Sequence, residues 1–242
     1  WLIDLIQQKK DEKILIIAAQ AQTALAIEEA LRTREAIKAA VFHEELSLIE
    51  RDKSAAYFAQ VENGAQVMVC SEIGSEGRNF QFAHHLVLFD LPINPDLLEQ
   101  RIGRLDRIGQ RCDIQIYTPY LKNTSQEFLQ KWYEQGLSAF TQTTPTGRTV
   151  YETVKNELIT LLATGENNDQ QLEKLIQHTT TLNAELKSHL EQGRDKLLEI
   201  NSSGILQNSN LLDDITEIDQ LPHFTGFALQ MFDVLGVQQE DS

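Results

Sequence analysis

Apolar residues in the first half of the chain form short continuous runs that alternate with stretches of helical spacing. Continuous apolar runs are typical of strands buried on both faces. Such a run occupies residues 13–18, and further strands are predicted at residues 39–42, 66–70, 86–89 and 114–117. Residues 21–35 have helical spacing, Ser47 and Glu50 fit a capping box, and Pro95 suits the first turn of a helix reaching about residue 107. This alternation predicts a mainly parallel sheet with helices on both faces.

The second half has a different, wholly helical pattern. Residues 147–163 are amphipathic, and a seam at three- and four-residue steps follows at Leu172, Leu175, Thr179, Leu182, Leu186, Leu190 and Leu197. Such a seam predicts a long coiled-coil-like helix, and a last helix is expected at about 223–235. We therefore expect an α/β lobe at 1–145 followed by an all-helical segment at 146–242.

Length and composition narrow the class of protein. A chain of 242 residues with 41% hydrophobic content can bury a core as one large or two small domains. Since no apolar run approaches the ~20 residues of a membrane span, we expect no membrane segment. The first residues lack an initiator Met and the features of a signal peptide, which predicts a piece of a longer cytoplasmic protein.

The charge distribution and the cysteine content limit which ligands the chain is expected to bind. The net charge is −15, and residues 146–242 hold 6 basic against 16 acidic residues, so this part is expected to repel nucleic acid. Residues 101–111 hold four arginines and one aspartate, so any site for a polyanion must be local. Cys70 and Cys112 are far apart and form no metal motif, and the His and Met spacing predicts no metal site either.

The segment QRIGRLDRIGQ at 100–110 carries the strongest chemical signal. Arg104 and Arg107 are three residues apart and would share one face of the predicted helix. Two planar guanidinium forks beside glycines suit an oxyanion such as a nucleotide γ-phosphate. A solvated basic helix face is the ordinary alternative for such a cluster.

A second segment, SEIGSEGRN at 71–79, is rich in small residues. Gly74 and Gly77 allow close approach to a phosphate or a ribose, although an ordinary strand-to-helix loop has the same composition. Because both segments follow predicted strands, both should reach the carboxyl edge of the sheet, where ligands bind in such folds. We expect the guanidinium groups of Arg104 and Arg107 to be accessible there.

In order, the strand at 13–18, SEIGSEGRNF (71–80) and FDLPINPDLLEQRIGRLDRIGQ (89–110) resemble motifs IV, V and VI of the second RecA-like lobe of superfamily 2 helicases. The ending QRIGRLDRIGQ is similar to the Swi/Snf-like branch. Flanking stretches such as AVFHEELSLIERDKSAAYFA resemble its bacterial, RNA polymerase-associated members. The resemblance covers about residues 1–150, and the remainder is assigned to a linker and spacer region by continuity.

The resemblance implies an ATPase lobe whose catalytic residues are Arg104 and Arg107, reaching the γ-phosphate of ATP. It places four further residues around the nucleotide: Gly77, Asn79, Gln100 and Gly103. Ser71 and Asn94 would lie near the backbone of DNA or RNA. RNA polymerase is the implied protein partner, and the implied function is remodelling of transcription complexes and recycling of polymerase.

The chain contains neither G-x-x-x-x-G-K-[ST] nor D-E-x-H, so the phosphate cradle and the Mg²⁺ ligands are expected on a first RecA-like lobe outside it. Alone, the fragment is expected to be inactive. Two alternatives stay open: a non-catalytic RNA polymerase interaction module with the lobe as platform, and an unrelated α/β fold with a chance arginine helix.

Overall fold

The structure is a computed structural model that describes residues 1–72, 80–164, 169–205 and 231; for 194–205 it describes the helical backbone. Five strands form one sheet in the order β2–β3–β1–β4–β5, and every neighbouring pair is parallel. The strands are β1 (Ile14–Ala18), β2 (Ala39–Phe42), β3 (Val67–Ser71), β4 (His85–Leu88) and β5 (Gln115–Tyr117). The α/β fold with a mainly parallel sheet is therefore confirmed.

The central strands are apolar along their length because the sheet is covered on both faces. Along β1, Leu15 and Ile17 enter one hydrophobic cluster, whereas Ile14 and Ile16 enter a second cluster on the opposite face. The four side chains are all fully buried. Because successive side chains of a strand point to opposite faces of the sheet, one apolar run contributes to both cores.

Helices on the two faces close these cores. The helix α1 (Leu2–Gln8) and the helix α2 (Ala21–Glu35) pack against the face of Ile14, and α3 (Leu48–Ala59) and α4 (Pro95–Ile102) against the other. The predicted capping box begins α3, since the Glu50 amide donates to Ser47 Oγ and the Ser47 amide donates to Glu50 Oε2 at 2.9 Å. Pro95 lies in the first turn of α4, as predicted.

The predicted continuation of α4 to about residue 107 is wrong. The helix ends at Ile102, and turns follow in which the Leu105 amide donates to the Ile102 carbonyl at 3.0 Å. Glycine at 103 and 109 lowers helix propensity, and Gly109 has a φ of 100°, outside the helical region. Arg104 and Arg107 therefore do not share a helix face.

Beyond the sheet the described chain is helical. It forms α5 (Ser125–Lys131), a π-helical segment (Trp132–Leu137), α6 (Gly147–Thr164) and α7 (Asp169–Ile205). The predicted long helix is confirmed as α7, whereas the helix expected at about 223–235 lies outside the described residues except Met231. Among the helices described, none combines the length and apolar character needed to cross a membrane.

The chain divides into two compact units, Trp1–Lys187 and Ser188–Ser242. The first contains the sheet, α1 to α6 and the first half of α7, and the second contains the rest of α7. The domain limit expected between residues 145 and 146 stays a prediction.

Within the first unit, a buried hydrogen bond joins the π-helical segment to α7. Trp132 Nε1 donates to Thr179 Oγ1 at 2.9 Å, and both side chains are fully buried. A Cβ at position 136 would lie 3.0 Å from Thr179 Cγ2, so glycine there permits the close approach. This contact holds α7 against the elements that follow the sheet.

Replacing Thr179 with Val should destabilise the protein by about 1–3 kcal/mol, because the buried indole N–H loses its acceptor while the shape is kept. Thr181→Val is the matched control, since Thr181 is exposed and its hydroxyl donates to the Gln177 carbonyl of its own helix. Its cost should stay within about 0.5 kcal/mol. Urea unfolding measures both, and equal losses would contradict the assigned contact.

Candidate functional site

Within the arginine segment, the side chain of Arg101 is held by several hydrogen bonds. Its Nε donates to Glu72 Oε1 and Oε2 at 3.0 Å, and its second terminal nitrogen also bonds to Glu72. The remaining nitrogen donates to the Asp90 carbonyl at 2.5 Å and to Asp90 Oδ1 at 3.2 Å. Only 1% of the side chain is exposed. The planar guanidinium of Arg101 donates to two carboxylates at once, which the ammonium group of a lysine could not do in the same geometry.

Arg101 joins the carboxyl ends of three neighbouring strands. Glu72 directly follows β3, and Asp90 lies two residues after β4. Asp90 Oδ2 in turn accepts a hydrogen bond from the amide of Ala19, directly after β1, at 2.9 Å. The cluster formed by Arg101, Glu72 and Asp90 is hereafter the carboxyl-edge clamp.

Arg104 is buried, with 8% exposure, where an accessible guanidinium was expected. Its carbonyl accepts a hydrogen bond from the Phe80 amide at 3.0 Å, and its charge acts on the thiol of Cys70 in β3. The described residues on either side of 73–79 are Glu72, which belongs to the clamp, and Phe80, which bonds to Arg104. The arginine segment therefore contacts both of these flanking residues.

Arg107 is exposed, as expected. Its Nε donates to the Gly103 carbonyl at 3.0 Å, and its side chain borders an open groove of about 720 Å³. Three residues on, the Gln110 amide group donates to the carbonyl of Ala83, just before β4. The segment therefore runs from the carboxyl edge towards the amino end of β4, and its arginines are spread along that path.

The residues expected around the nucleotide are placed unevenly. Gln100 is exposed on the last turn of α4, and Gly103 is the residue that follows the helix, where a Cβ would lie 3.1 Å from the Glu99 carbonyl. Gly77 and Asn79 lie outside the described residues. The nucleotide contacts of all four stay predictions.

The two residues expected near nucleic acid make local contacts in this structure. Asn94 caps α4, its Oδ1 accepting from the Asp96 amide at 3.0 Å. Ser71 is buried at the end of β3 and donates to Glu44 Oε2 at 2.6 Å. This hydrogen bond lowers the pKa of the Glu44 carboxyl. Contacts of Ser71 and Asn94 with a nucleic-acid backbone stay predictions.

A second polar cluster lies at the opposite, amino edge of the sheet. Glu12 Oε2 is 2.5 Å from His84 Nε2 and 2.6 Å from His85 Nε2. The other carboxylate oxygen accepts from Lys9 Nζ at 3.3 Å, and the Tyr117 hydroxyl lies 3.2 Å from His85 Nδ1. Because Glu12 and His84 are 72 residues apart in the chain, motif spacing could not bring them together.

The protonation of this amino-edge cluster follows from its contacts. Hydrogen bonding by His85, and further by His84 and Lys9, lowers the pKa of Glu12 to about 2. Burial lowers the pKa of His85 despite the neighbouring carboxylate. Near neutral pH, Glu12 is therefore ionised and His85 is neutral, which are the states in which both side chains bind metal ions.

The two cysteines have contrasting surroundings. Cys70 is buried in β3, and burial raises the pKa of its thiol. Cys112 is exposed, and its amide donates to Gln110 Oε1 at 3.2 Å. Both thiols are free.

Replacing Arg101 with Ala should destabilise the protein by roughly 3 kcal/mol, because Glu72 and Asp90 would lose their shared counter-charge in a largely buried setting. Arg101→Lys should recover only part of this loss, since an ammonium cannot serve both carboxylates. Urea unfolding measures the effect.

Arg111→Ala controls for charge removal in the same segment, since Arg111 is exposed. Its cost should remain within about 0.5 kcal/mol. A loss as large as that of Arg101→Ala would show that net charge, and not the clamp, sets stability.

Known proteins similar to this chain are RNA polymerase-associated proteins. The protein named RNA polymerase-associated protein RapA of Vibrio atlanticus (strain LGP32) is 57% identical over 241 residues, and its counterpart in Vibrio cholerae serotype O1 (strain M66-2) is 56% identical. All of this chain is matched in both, but it spans only 25% of their length. Among solved structures, the Sulfolobus solfataricus SWI2/SNF2 ATPase core in complex with dsDNA matches with a TM-score of 0.48 and 22% identity, covering 66% of this chain and 34% of that one.

Two family profiles divide the chain between them. Residues 1–109 match the helicase conserved C-terminal domain, which agrees with the parallel sheet of a RecA-like lobe. Residues 113–242 match the profile described as RNA polymerase recycling family C-terminal. Because this second match covers more than half of the chain, the chain belongs to the RNA polymerase recycling family and carries the family's C-terminal region behind a helicase C-terminal domain.

Proposed function

We propose that the chain is the C-terminal motor lobe of an ATP-dependent nucleic-acid translocase that associates with RNA polymerase and recycles it during transcription. Family membership and the helicase profile over residues 1–109 support this proposal. Its C-terminal helices would form the linker and spacer region next to the lobe. The acting unit is the longer protein, in which a first RecA-like lobe binds the nucleotide.

The proposed catalytic groups are the guanidiniums of Arg104 and Arg107. ATP, when bound with Mg²⁺ between the lobes, supplies the phosphoryl group that is transferred to water. Arg107 fits an oxyanion because it is exposed beside an open groove, and Arg104 fits less directly because it is buried. Gln100, Gly103, Gly77 and Asn79 would border the nucleotide, whereas Mg²⁺ ligands are expected from the first lobe alone.

The observation that carries the proposal is the attachment of the arginine segment to the sheet. The carboxyl-edge clamp fixes residue 101 to three strand ends, and the Phe80 amide fixes residue 104. Charged groups stabilise a transition state most when they are held in place before the reaction, because no reorganisation is then needed. Arg101 is thus a positioning residue, and the lobe by itself is not expected to hydrolyse ATP.

Nucleic acid and polymerase are the proposed partners. Ser71 is the last residue of β3 and Asn94 lies in the connection after β4, so a DNA or RNA backbone would lie along the carboxyl edge. Since residues 113–242 match a profile named for RNA polymerase recycling, we assign polymerase contact to the helical region.

That same match favours a second candidate, a non-catalytic polymerase interaction module in which the lobe is a platform. The two candidates differ in one respect: only the motor requires the arginines for turnover. Both are therefore tested by the same substitutions.

In the full-length protein, Arg107→Ala and Arg104→Ala should reduce nucleic-acid-stimulated ATP turnover much more than ATP affinity. An arginine that acts on transition-state charge contributes roughly 10³–10⁵ in rate. Arg→Lys at either position should rescue poorly, because a point charge does not replace the fork. Steady-state ATPase assays and nucleotide binding measure the two quantities separately.

Arg111→Ala is the matched control and should keep nearly normal turnover. Polymerase binding by the Arg107 variant should be unchanged, since the proposed polymerase contact lies in the helices. Normal turnover in both variants would refute the motor role and leave the interaction module, and a loss due wholly to weaker ATP binding would refute the arginine-finger role.

A further inference from the structure

We propose that Glu12, His84 and His85 bind one divalent transition-metal ion of the Zn²⁺ class at the amino edge of the sheet. One oxygen and two imidazole nitrogens, all within 4.8 Å of one another, converge there from two neighbouring strands. Glu12 lies two residues before β1, and His85 begins β4, where it pairs with Ile14. The inference concerns the edge opposite the carboxyl-edge clamp and does not depend on the proposed function.

The set of donor atoms selects the class of ion. Two imidazoles and one carboxylate are a common ligand set for zinc, and imidazole also suits copper, iron and nickel, whereas Mg²⁺ prefers oxygen ligands alone. Glu12 and His84 are partly exposed, with 34% and 27% of their side chains accessible. This open side leaves room for a water molecule as the fourth ligand.

Glu12 Oε2 lies at hydrogen-bond distance from both imidazole nitrogens, and metal ligation requires these two distances to lengthen. Ligand atoms about 2.1 Å from a tetrahedral ion lie roughly 3.4 Å apart, so the Glu12 oxygen must move away from each imidazole by less than about 1 Å. Glu12 precedes the strand and is partly exposed, which permits that movement. Lys9 must leave the other carboxylate oxygen or tolerate the added charge, and its partly exposed side chain can move towards solvent.

A hydrogen bond behind the site supports the assignment. Metal-bound histidines commonly use the second ring nitrogen in a hydrogen bond that fixes the tautomer and the ring orientation. The buried His85 has such a partner, since its Nδ1 lies 3.2 Å from the hydroxyl of Tyr117. A hydroxyl can donate when Nε2 carries the proton and accept when Nδ1 carries it. Tyr117 therefore suits both the free cluster and the metal-bound cluster.

The test is metal binding by the full-length protein, using Zn²⁺ in titration calorimetry and Co²⁺ as an absorption probe. The protein should bind Zn²⁺ at this site and give the visible bands of tetrahedral Co²⁺, and excess Mg²⁺ should not compete. Glu12→Gln and His84→Ala should each lose one equivalent or bind it at least about tenfold more weakly, and Tyr117→Phe should weaken binding by roughly 10–100-fold.

His178→Ala is the matched control, because His178 is exposed and its ring lies 3.6 Å from a carboxylate oxygen of Glu157. It should leave binding unchanged. Circular dichroism and thermal unfolding without metal verify that each variant folds. If Glu12→Gln or His84→Ala fails to fold, Tyr117→Phe still tests the proposal. Equal stoichiometry and affinity in all variants, or a loss equally large in His178→Ala, would overturn the proposal.

Discussion

The fork of Arg101 between Glu72 and Asp90 is the interaction on which the arrangement of the lobe's carboxyl edge depends. In a parallel sheet all strands end at one edge, and the loops that leave it have few ladder partners to hold them. Here one buried cation binds the residues that follow β3 and β4, and Asp90 extends the network to the backbone after β1. The arginine segment is therefore fixed by the same groups that order the strand ends.

The same parallel geometry gathers polar residues at the opposite edge. Strands β1 and β4 begin side by side, so residues before them meet although they are distant in the chain. Glu12 and the two histidines are collected in this way, and Tyr117 reaches them from β5. One sheet thus has a clamp based on carboxylates and guanidinium at one edge and a cluster based on imidazoles at the other.

Much of the fold follows from the sequence because each signal is local. A continuous apolar run predicts a buried strand, and the spacing of Ser47 and Glu50 predicts the start of α3. Both features could therefore be predicted from the sequence. The end of α4 could not be predicted in this way. Residues 103–109 have an apparent helical spacing, but their glycines favour turns. The spacing of apolar residues in Trp132–Leu137 does not distinguish this π-helical segment from an α-helix.

The candidate site was predictable in part for the same reason. The four arginines were visible as a cluster, but the role of Arg101 depends on Glu72 and Asp90, which follow different strands. The amino-edge cluster depends wholly on strand order, which spacing within the chain does not encode. Burial of Arg104 likewise results from the turns after Ile102 and not from its sequence neighbours.

Because the two thiols have different surroundings, the arginine segment can be labelled selectively at one of them. Maleimides react with thiolates, and Cys70 is both shielded by the sheet and hard to deprotonate, so alkylation of this chain should be directed to Cys112. Cys112 lies directly after Arg111 and is bonded through its amide to Gln110, which anchors the segment to the start of β4. A fluorophore at that position would report on the segment while leaving the sheet, the clamp and both cores chemically unaltered.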